Sequence, residues 1–217
     1  MLTMLRNRRH KRDPVWHVEL MVLAVIVLQV VLPDRFVLGE HRLLPILEAV
    51  LALLLLTTTP KERVFRSLAR RLNAVLLLAA IGLSNIYALL RVVDQLLQRG
   101  NANGRELILA AVNIYCTNII VFALLYWEMD GGGPGHRHVS EPAERDFLFP
   151  QQNVTGLEKW HATSIDYLYV SSTNATAFSP TDTMPLSRRA KMLMLMQSIV
   201  SLMVMVLVAG RAVNILN

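Results

Sequence analysis

The side chains best able to do chemistry in this chain are ionisable and amide groups set inside long apolar runs. Glu48, Asn85, Arg91, Asp94, Asn113, Asn118 and Gln197 all lie in such runs. A charge at mid-depth in hydrocarbon costs at least ~2.5 kcal/mol on insertion scales, so each needs a partner or a task. Arg91 and Asp94 are spaced i, i+3 and can pair on one helix. The four amides can hydrogen-bond between helices, at roughly 1 kcal/mol each. Glu48 has no basic residue near it in sequence, which leaves it open to a role in ion or proton movement. Glu19, one turn into the first run, reads as an interfacial residue. A second concentration of polar groups lies in residues 162–187, just before the last apolar run.

The elements that must position these groups follow from composition. Of 217 residues, 53% are hydrophobic and 18% charged, against roughly 25% charged in a soluble domain. The apolar runs fall at 16–32, 43–58, 73–97, 106–127 and 189–216, several near the ~20 residues that cross a bilayer. The expected fold is an all-α membrane protein with about five transmembrane helices plus one re-entrant or interfacial helix. Its order is a basic cytoplasmic tail (1–15), four transmembrane helices (16–127), a cytoplasmic loop (128–161), a re-entrant segment (162–187) and a last span (188–217). In the loop, DGGGPG at 130–135 reads as flexible, with a brief apolar patch at 147–150. With five spans, sixteen Lys and Arg fall on one side and five on the other. The positive-inside rule then puts the N-terminus in the cytoplasm of a cell whose inner, or plasma, membrane holds the protein. The first run lacks a small-x-small cleavage site and is expected to stay attached.

Other chemistry is thin. The net charge of +6 belongs to membrane-flanking loops, so no nucleic acid is expected. Cys116 stands alone and reads as a small packing residue. His136 and His138 offer at best half of a metal site and read as part of a solvated loop. No Ser, Cys or His arrangement suggests a nucleophile, and no Gly-rich phosphate loop follows a strand. Neither enzymatic activity nor a metal or other cofactor is expected. Asn153 and Asn174 match the glycosylation pattern, but on the side the charge count makes cytoplasmic.

Residues 162–178 read ATSIDYLYVSSTNATAF, with Ile165, Leu168 and Tyr169 at helical spacing and six Ser or Thr. That is too wet for a lipid-facing span and too apolar for an ordinary loop. Irregular backbone at membrane depth is tolerated only inside protein or along a water-filled cavity. The stretch SIDYLYVSSTNATAFSPTDTMP resembles the pore helix and filter of the potassium-channel pore module. Asp166, Leu168, Tyr169, Ser171, Thr173 and Thr176 fall in register, as do Asp182 and Pro185. The filter positions are Ala177, Phe178, Ser179, Pro180 and Thr181. Ser179 and Thr181 replace the glycines whose backbone angles such a filter needs, and Pro180 restricts φ there. A filter of the potassium-selective glycine type is not expected. The charge count also puts this loop on the cytoplasmic side, opposite to that class.

Most of the chain also resembles an uncharacterised family of small bacterial multi-pass membrane proteins. The parallels are DYLYVS at 166–171, AFSPTD at 177–182, SRR at 187–189 and VNIL at 213–216. That resemblance implies a membrane fold and no activity.

The leading expectation is an oligomeric channel or leak pathway for monovalent cations, lined by Thr173, Thr176, Ser179, Thr181 and Asp182. Met192, Met196 and Met203 lie broadly along one face of the last helix and read as ordinary packing residues, the alternative being that they line or seal the cavity. Membrane lipids and further copies of the chain are the expected partners. The alternative is a non-transporting scaffold or partner-binding subunit, with 162–185 flat on the surface and Arg188–Lys191 on anionic headgroups.

Overall fold

The computed structural model describes residues 15–37, 46, 50, 68–97, 104–134, 136–137, 144–157, 160–177 and 182–216. Among these are five α-helices, α1 (Val15–Val31), α2 (Leu68–Leu97), α3 (Gly104–Met129), α4 (Ser164–Ala177) and α5 (Arg188–Leu216). Two short strands, β1 (Phe147–Leu148) and β2 (Met184–Pro185), pair antiparallel, Phe147 opposite Pro185.

Three stretches are long and apolar enough to cross a membrane, Arg70–Leu97, Gly104–Gly132 and Arg188–Gly210. The apolar helix Trp16–Val31 is shorter than these; α1 reaches about 26 Å at 1.5 Å per residue, against ~30 Å of hydrocarbon. The run expected at 43–58, with Glu48, lies outside the described residues, apart from helical Ile46 and Val50.

Long-range contacts fix the helix directions. Asn113 Nδ2 donates to the Leu28 carbonyl near the end of α1, while Val18 packs beside Tyr126 and Trp127, so α1 runs against α3. Arg70 at the start of α2 meets Glu128 at the end of α3, and Arg91 Nε donates to the Arg35 carbonyl beyond α1. Asn118 near the middle of α3 meets Ser201 of α5, and Tyr126 meets Gln197. Thus α1, α2, α4 and α5 all start at the end where α3 finishes. The chain leaves α1 at one end of the bundle and enters α2 at the other.

Lipid tails are as apolar as leucine, so helices in a membrane associate through close packing and polar contacts. The interior accordingly carries small residues, with Ala88, Ala110, Ala123, Ala175 and Ala190 all buried. Polar Ser84, Asn85, Asn118, Ser171, Gln197 and Ser201 are buried with them.

The described residues of the segment expected as a loop form a cap on the end of α3. α3 passes into one turn of 3-10 helix at Asp130–Gly132, and Gly131, Gly132 and Gly133 take positive φ. A Cβ on Gly133 would lie 2.8 Å from the Glu128 carbonyl oxygen, so the glycine run makes a tight reversal. Phe147, Phe149, Tyr126 and Tyr167 are buried together, with ring centroids 5.1 Å apart for Tyr126–Phe147 and 5.3 Å for Phe149–Tyr167. Such pairs contribute about 0.5–1.5 kcal/mol beyond the area they bury. The apolar patch at 147–150 is therefore the core of the cap.

Candidate functional site

The polar segment before the last span forms α4, and its local chemistry explains where it starts. The Asp166 carboxylate accepts from the Thr163 backbone N–H at 2.7 Å and from the Thr163 hydroxyl at 2.8 Å. This is the return half of a capping box, an acid three residues into a helix satisfying the cap residue's amide. Ser187 serves the next helix, its Oγ accepting from the Ala190 N–H at 3.1 Å.

α4 is seated between α3 and α5 with its polar face inward. Tyr167, Val170, Ser171 and Asn174 are buried, whereas Ile165 and Tyr169 are 49% and 56% exposed. Of the apolar residues of α4, Val170 is buried and Leu168 half-buried against the α1–α3 core, while Ile165 and Tyr169 face outward. Hydrogen bonding decides the orientation, because the serine and asparagine have no partners in lipid. The Asn174 of the second glycosylation pattern is thus a buried helix residue.

Gln197 is the hub of this seat and is 0% exposed. Its Oε1 accepts from the Tyr126 hydroxyl at 2.6 Å and from Asn174 Nδ2 at 2.8 Å. Its Nε2 donates to the Ser171 carbonyl at 2.9 Å and to the Ser171 Oγ at 2.6 Å. Both lone-pair directions and both N–H groups of the amide are spent. The Ser171 hydroxyl donates to the Ile119 carbonyl at 2.6 Å, Asn174 Nδ2 to the Met194 carbonyl at 3.0 Å, and Asn118 Nδ2 to the Ser201 Oγ at 2.9 Å. Three helices are cross-linked by one connected network.

Two buried carboxylates tie this seat to the cap. Asp130 accepts from the Asp146 and Phe147 backbone N–H groups at 2.7 and 3.2 Å and from the Tyr167 hydroxyl at 2.5 Å. Arg137 Nε lies 3.8 Å from it. The Arg137 guanidinium also sits 4.7 Å from the Tyr167 ring centroid and donates to the Trp127 and Ala162 carbonyls. Asp146 accepts from Arg189 Nε and one terminal nitrogen at 2.6 and 2.7 Å, and from the Ser187 hydroxyl. Arg70 and Glu128 make a third pair at 2.5 Å, both buried.

The tip of α4 lies well down α3. Tyr167 is level with Asp130, Ser171 with Ile119, and the Thr176 Oγ1 stands 3.1 Å from the Tyr115 hydroxyl. From Met129 back to Tyr115 is about 21 Å of helix rise, just over half of α3. By Met184 the chain is again at the cap, paired with Leu148.

The expected site residues are placed as follows. The Thr173 hydroxyl donates to its own helix, to the Tyr169 and Val170 carbonyls at 3.0 Å, and the Thr176 hydroxyl to the Ser172 carbonyl at 2.8 Å. Ala177 and Asp182 are exposed. Phe178, Ser179, Pro180 and Thr181 lie outside the described residues. Asn85 Nδ2 donates to the Ile114 carbonyl at 3.1 Å, and Arg91 and Asp94 pair at 3.5 Å. Asn85, Asn113, Asn118 and Gln197 therefore act as links between helices. Met192, Met196 and Met203 are all about half exposed on the outside of the bundle. Among the described residues, no group of three His, Cys, Asp or Glu side chains could hold a metal ion, and His138 lies outside them.

The sequence reading missed Tyr126, Ser201, Asp130, Arg137, Asp146 and the Arg70–Glu128 pair. A signal for part of this was present. Ala190, Met194, Gln197, Ser201 and Val204 recur every three or four residues and form the buried face of α5, with the polar pair marking the inward side.

Three helices long and apolar enough to cross a membrane, joined by buried polar links, are compatible with a helical membrane protein. No family model, no curated protein and no solved structure matches the chain.

Proposed function

We propose that the chain is one subunit of an oligomeric cation channel or leak pathway, in which α4 and the residues after it form a re-entrant pore loop. One observation carries this reading. α4 descends from the cap to the level of Tyr115, and the chain is back at the cap by Met184. Fourteen residues of helix span about 21 Å, too short to cross ~30 Å of hydrocarbon. The seven-residue step to Met184 reaches about 24 Å when extended, enough to climb back.

The chemistry of the tip favours a cation. The last turn of a helix carries a partial negative charge on carbonyls with no partner inside the helix. Because the Thr173 and Thr176 hydroxyl protons point to their own backbone, their oxygens are left to act as acceptors. Asp182 adds a carboxylate where the chain re-emerges. The outward side of α4, with Ile165 and Tyr169, opens away from its own bundle, and Thr176 is exposed near its tip. Several copies are then needed to enclose a path. The spacing shared with the potassium-channel pore module supports the same arrangement, without its selectivity. On this reading the cap end, with its basic clusters, faces the cytoplasm.

A second reading, a scaffold subunit without transport, draws on one fact. Ser171 and Asn174 of α4 are turned inward, and their side-chain hydrogen bonds are made within the chain.

Ion flux in liposomes separates the two. Purified wild-type protein should carry K+ and Na+ above the protein-free rate. Asp182→Ala should lower that flux about fivefold, the worth of roughly 1 kcal/mol for one nearby unit charge in water. Absence of flux in the wild type contradicts the channel reading and leaves the scaffold.

A further inference from the structure

The outward face of α5 is built in two parts. Arg188 and Lys191 are exposed in its first turn. Below them Met192, Leu195, Ile199, Leu202 and Val206 are 45–62% exposed. At 3.6 residues per turn these seven positions fall within about 100° of arc, so they form one stripe. It runs about 21 Å from Met192 to Val206, well into the hydrocarbon core.

The charges at its head are unusual for a helix start. An α-helix N-terminus carries partial positive charge and normally gathers acids. α5 has no acid in its first turn and holds Arg188, Arg189 and Lys191 there instead. Asp146 takes up Arg189. The side chains of Arg188 and Lys191 make no ion pair or hydrogen bond with other described residues. Two cations and a helix dipole therefore stand at the head of an apolar stripe without a counter-charge among the described residues.

We propose that this face of α5 binds an anionic phospholipid, its phosphate held by Arg188 and Lys191 and an acyl chain lying along Met192 to Val206. A lipid suits the stripe better than a second helix. Helix pairs in membranes approach through Gly, Ala and Ser, and α5 keeps its Ala190 and Ser201 on the buried side. From Met192 to Val206 the outward stripe is branched or long-chained, and the exposed small residues Ala209 and Gly210 lie beyond it.

The test uses purified full-length protein in detergent, with bound lipid counted by native mass spectrometry. Phosphatidylglycerol should bind roughly 25-fold tighter than phosphatidylcholine, about fivefold for each basic side chain. The R188Q/K191Q variant should lose that preference. Lys191→Gln alone, at an exposed position, should cut it about fivefold and decides the matter if the double variant is unstable. Arg105→Gln, at the far end of the bundle, should keep it. Equal affinity for the two lipids in the wild type overturns the proposal, as does a preference that survives R188Q/K191Q. Displacement of the lipid by millimolar inorganic phosphate also overturns it, pointing to a free-anion site. Disulfide-linked dimers of a Leu195→Cys protein in native membranes would give the face to a second copy instead.

Discussion

Replacing Gln197 with leucine is expected to destabilise the bundle by about 2–4 kcal/mol. Leucine has nearly the same volume, so packing is kept and the hydrogen bonds alone are lost. Four bonds at ~0.6 kcal/mol each, the average inside membranes, give the lower figure. The buried Tyr126 hydroxyl loses the partner it has at 2.6 Å, and an unpaired buried donor costs about 1–3 kcal/mol. Asn174 keeps the Met194 carbonyl and Ser171 keeps the Ile119 carbonyl, which caps the loss. At 2–4 °C per kcal/mol the melting temperature in detergent should fall by roughly 4–16 °C. Tyr126→Phe, which removes one donor, should cost only about 1 kcal/mol. A Gln197→Leu protein that melts with the wild type would mean that α4 is held by packing alone.

The second large effect is expected at Asp130. Its carboxylate gathers two backbone N–H groups and the Tyr167 hydroxyl, opposite Arg137, with only 2% of the residue exposed. Asp130→Ala removes the acceptor of these three hydrogen bonds and the carboxylate opposite the buried Arg137, and the loss of one member of a buried pair costs about 3–5 kcal/mol. Asp130→Asn keeps an acceptor for the two amides and should cost about half as much. Because Asp130 joins α3, β1 and α4, the damage should appear first in the cap, as faster proteolysis within 136–161. Loss of stability without early cleavage there would show that the cap does not open as a unit.

How much of this was legible in the sequence depends on the range of the interaction. The helices α2, α3 and α5 are written as unbroken apolar runs, because length and hydropathy are what a membrane demands of them. The start of α4 is written locally too, as Thr163 and Asp166 three residues apart. The inward face of α4 was not legible from apolar spacing, which is a guide only when the surroundings are water. In a lipid-facing bundle Ser171 and Asn174 seek the interior, while Ile165 and Tyr169 can face outward. The cap was hidden because its contacts span long separations. Asp130 finds Tyr167 37 positions away, and Asp146 finds Arg189 43 positions away. The glycines at 131–133 look like a flexible linker by composition, yet Gly133 is there because a Cβ would strike the Glu128 carbonyl.

The account stands or falls on the path of the chain around α4. Single cysteines at Asn153, Asp182 and Arg105, in a Cys116→Ser background, can be labelled with a membrane-impermeant thiol reagent in sealed vesicles of known orientation. A re-entrant α4 predicts that Asn153→Cys and Asp182→Cys react from one side and Arg105→Cys from the other. Labelling of Asp182→Cys from the same side as Arg105→Cys would make residues 164–181 a crossing segment and remove the pore loop.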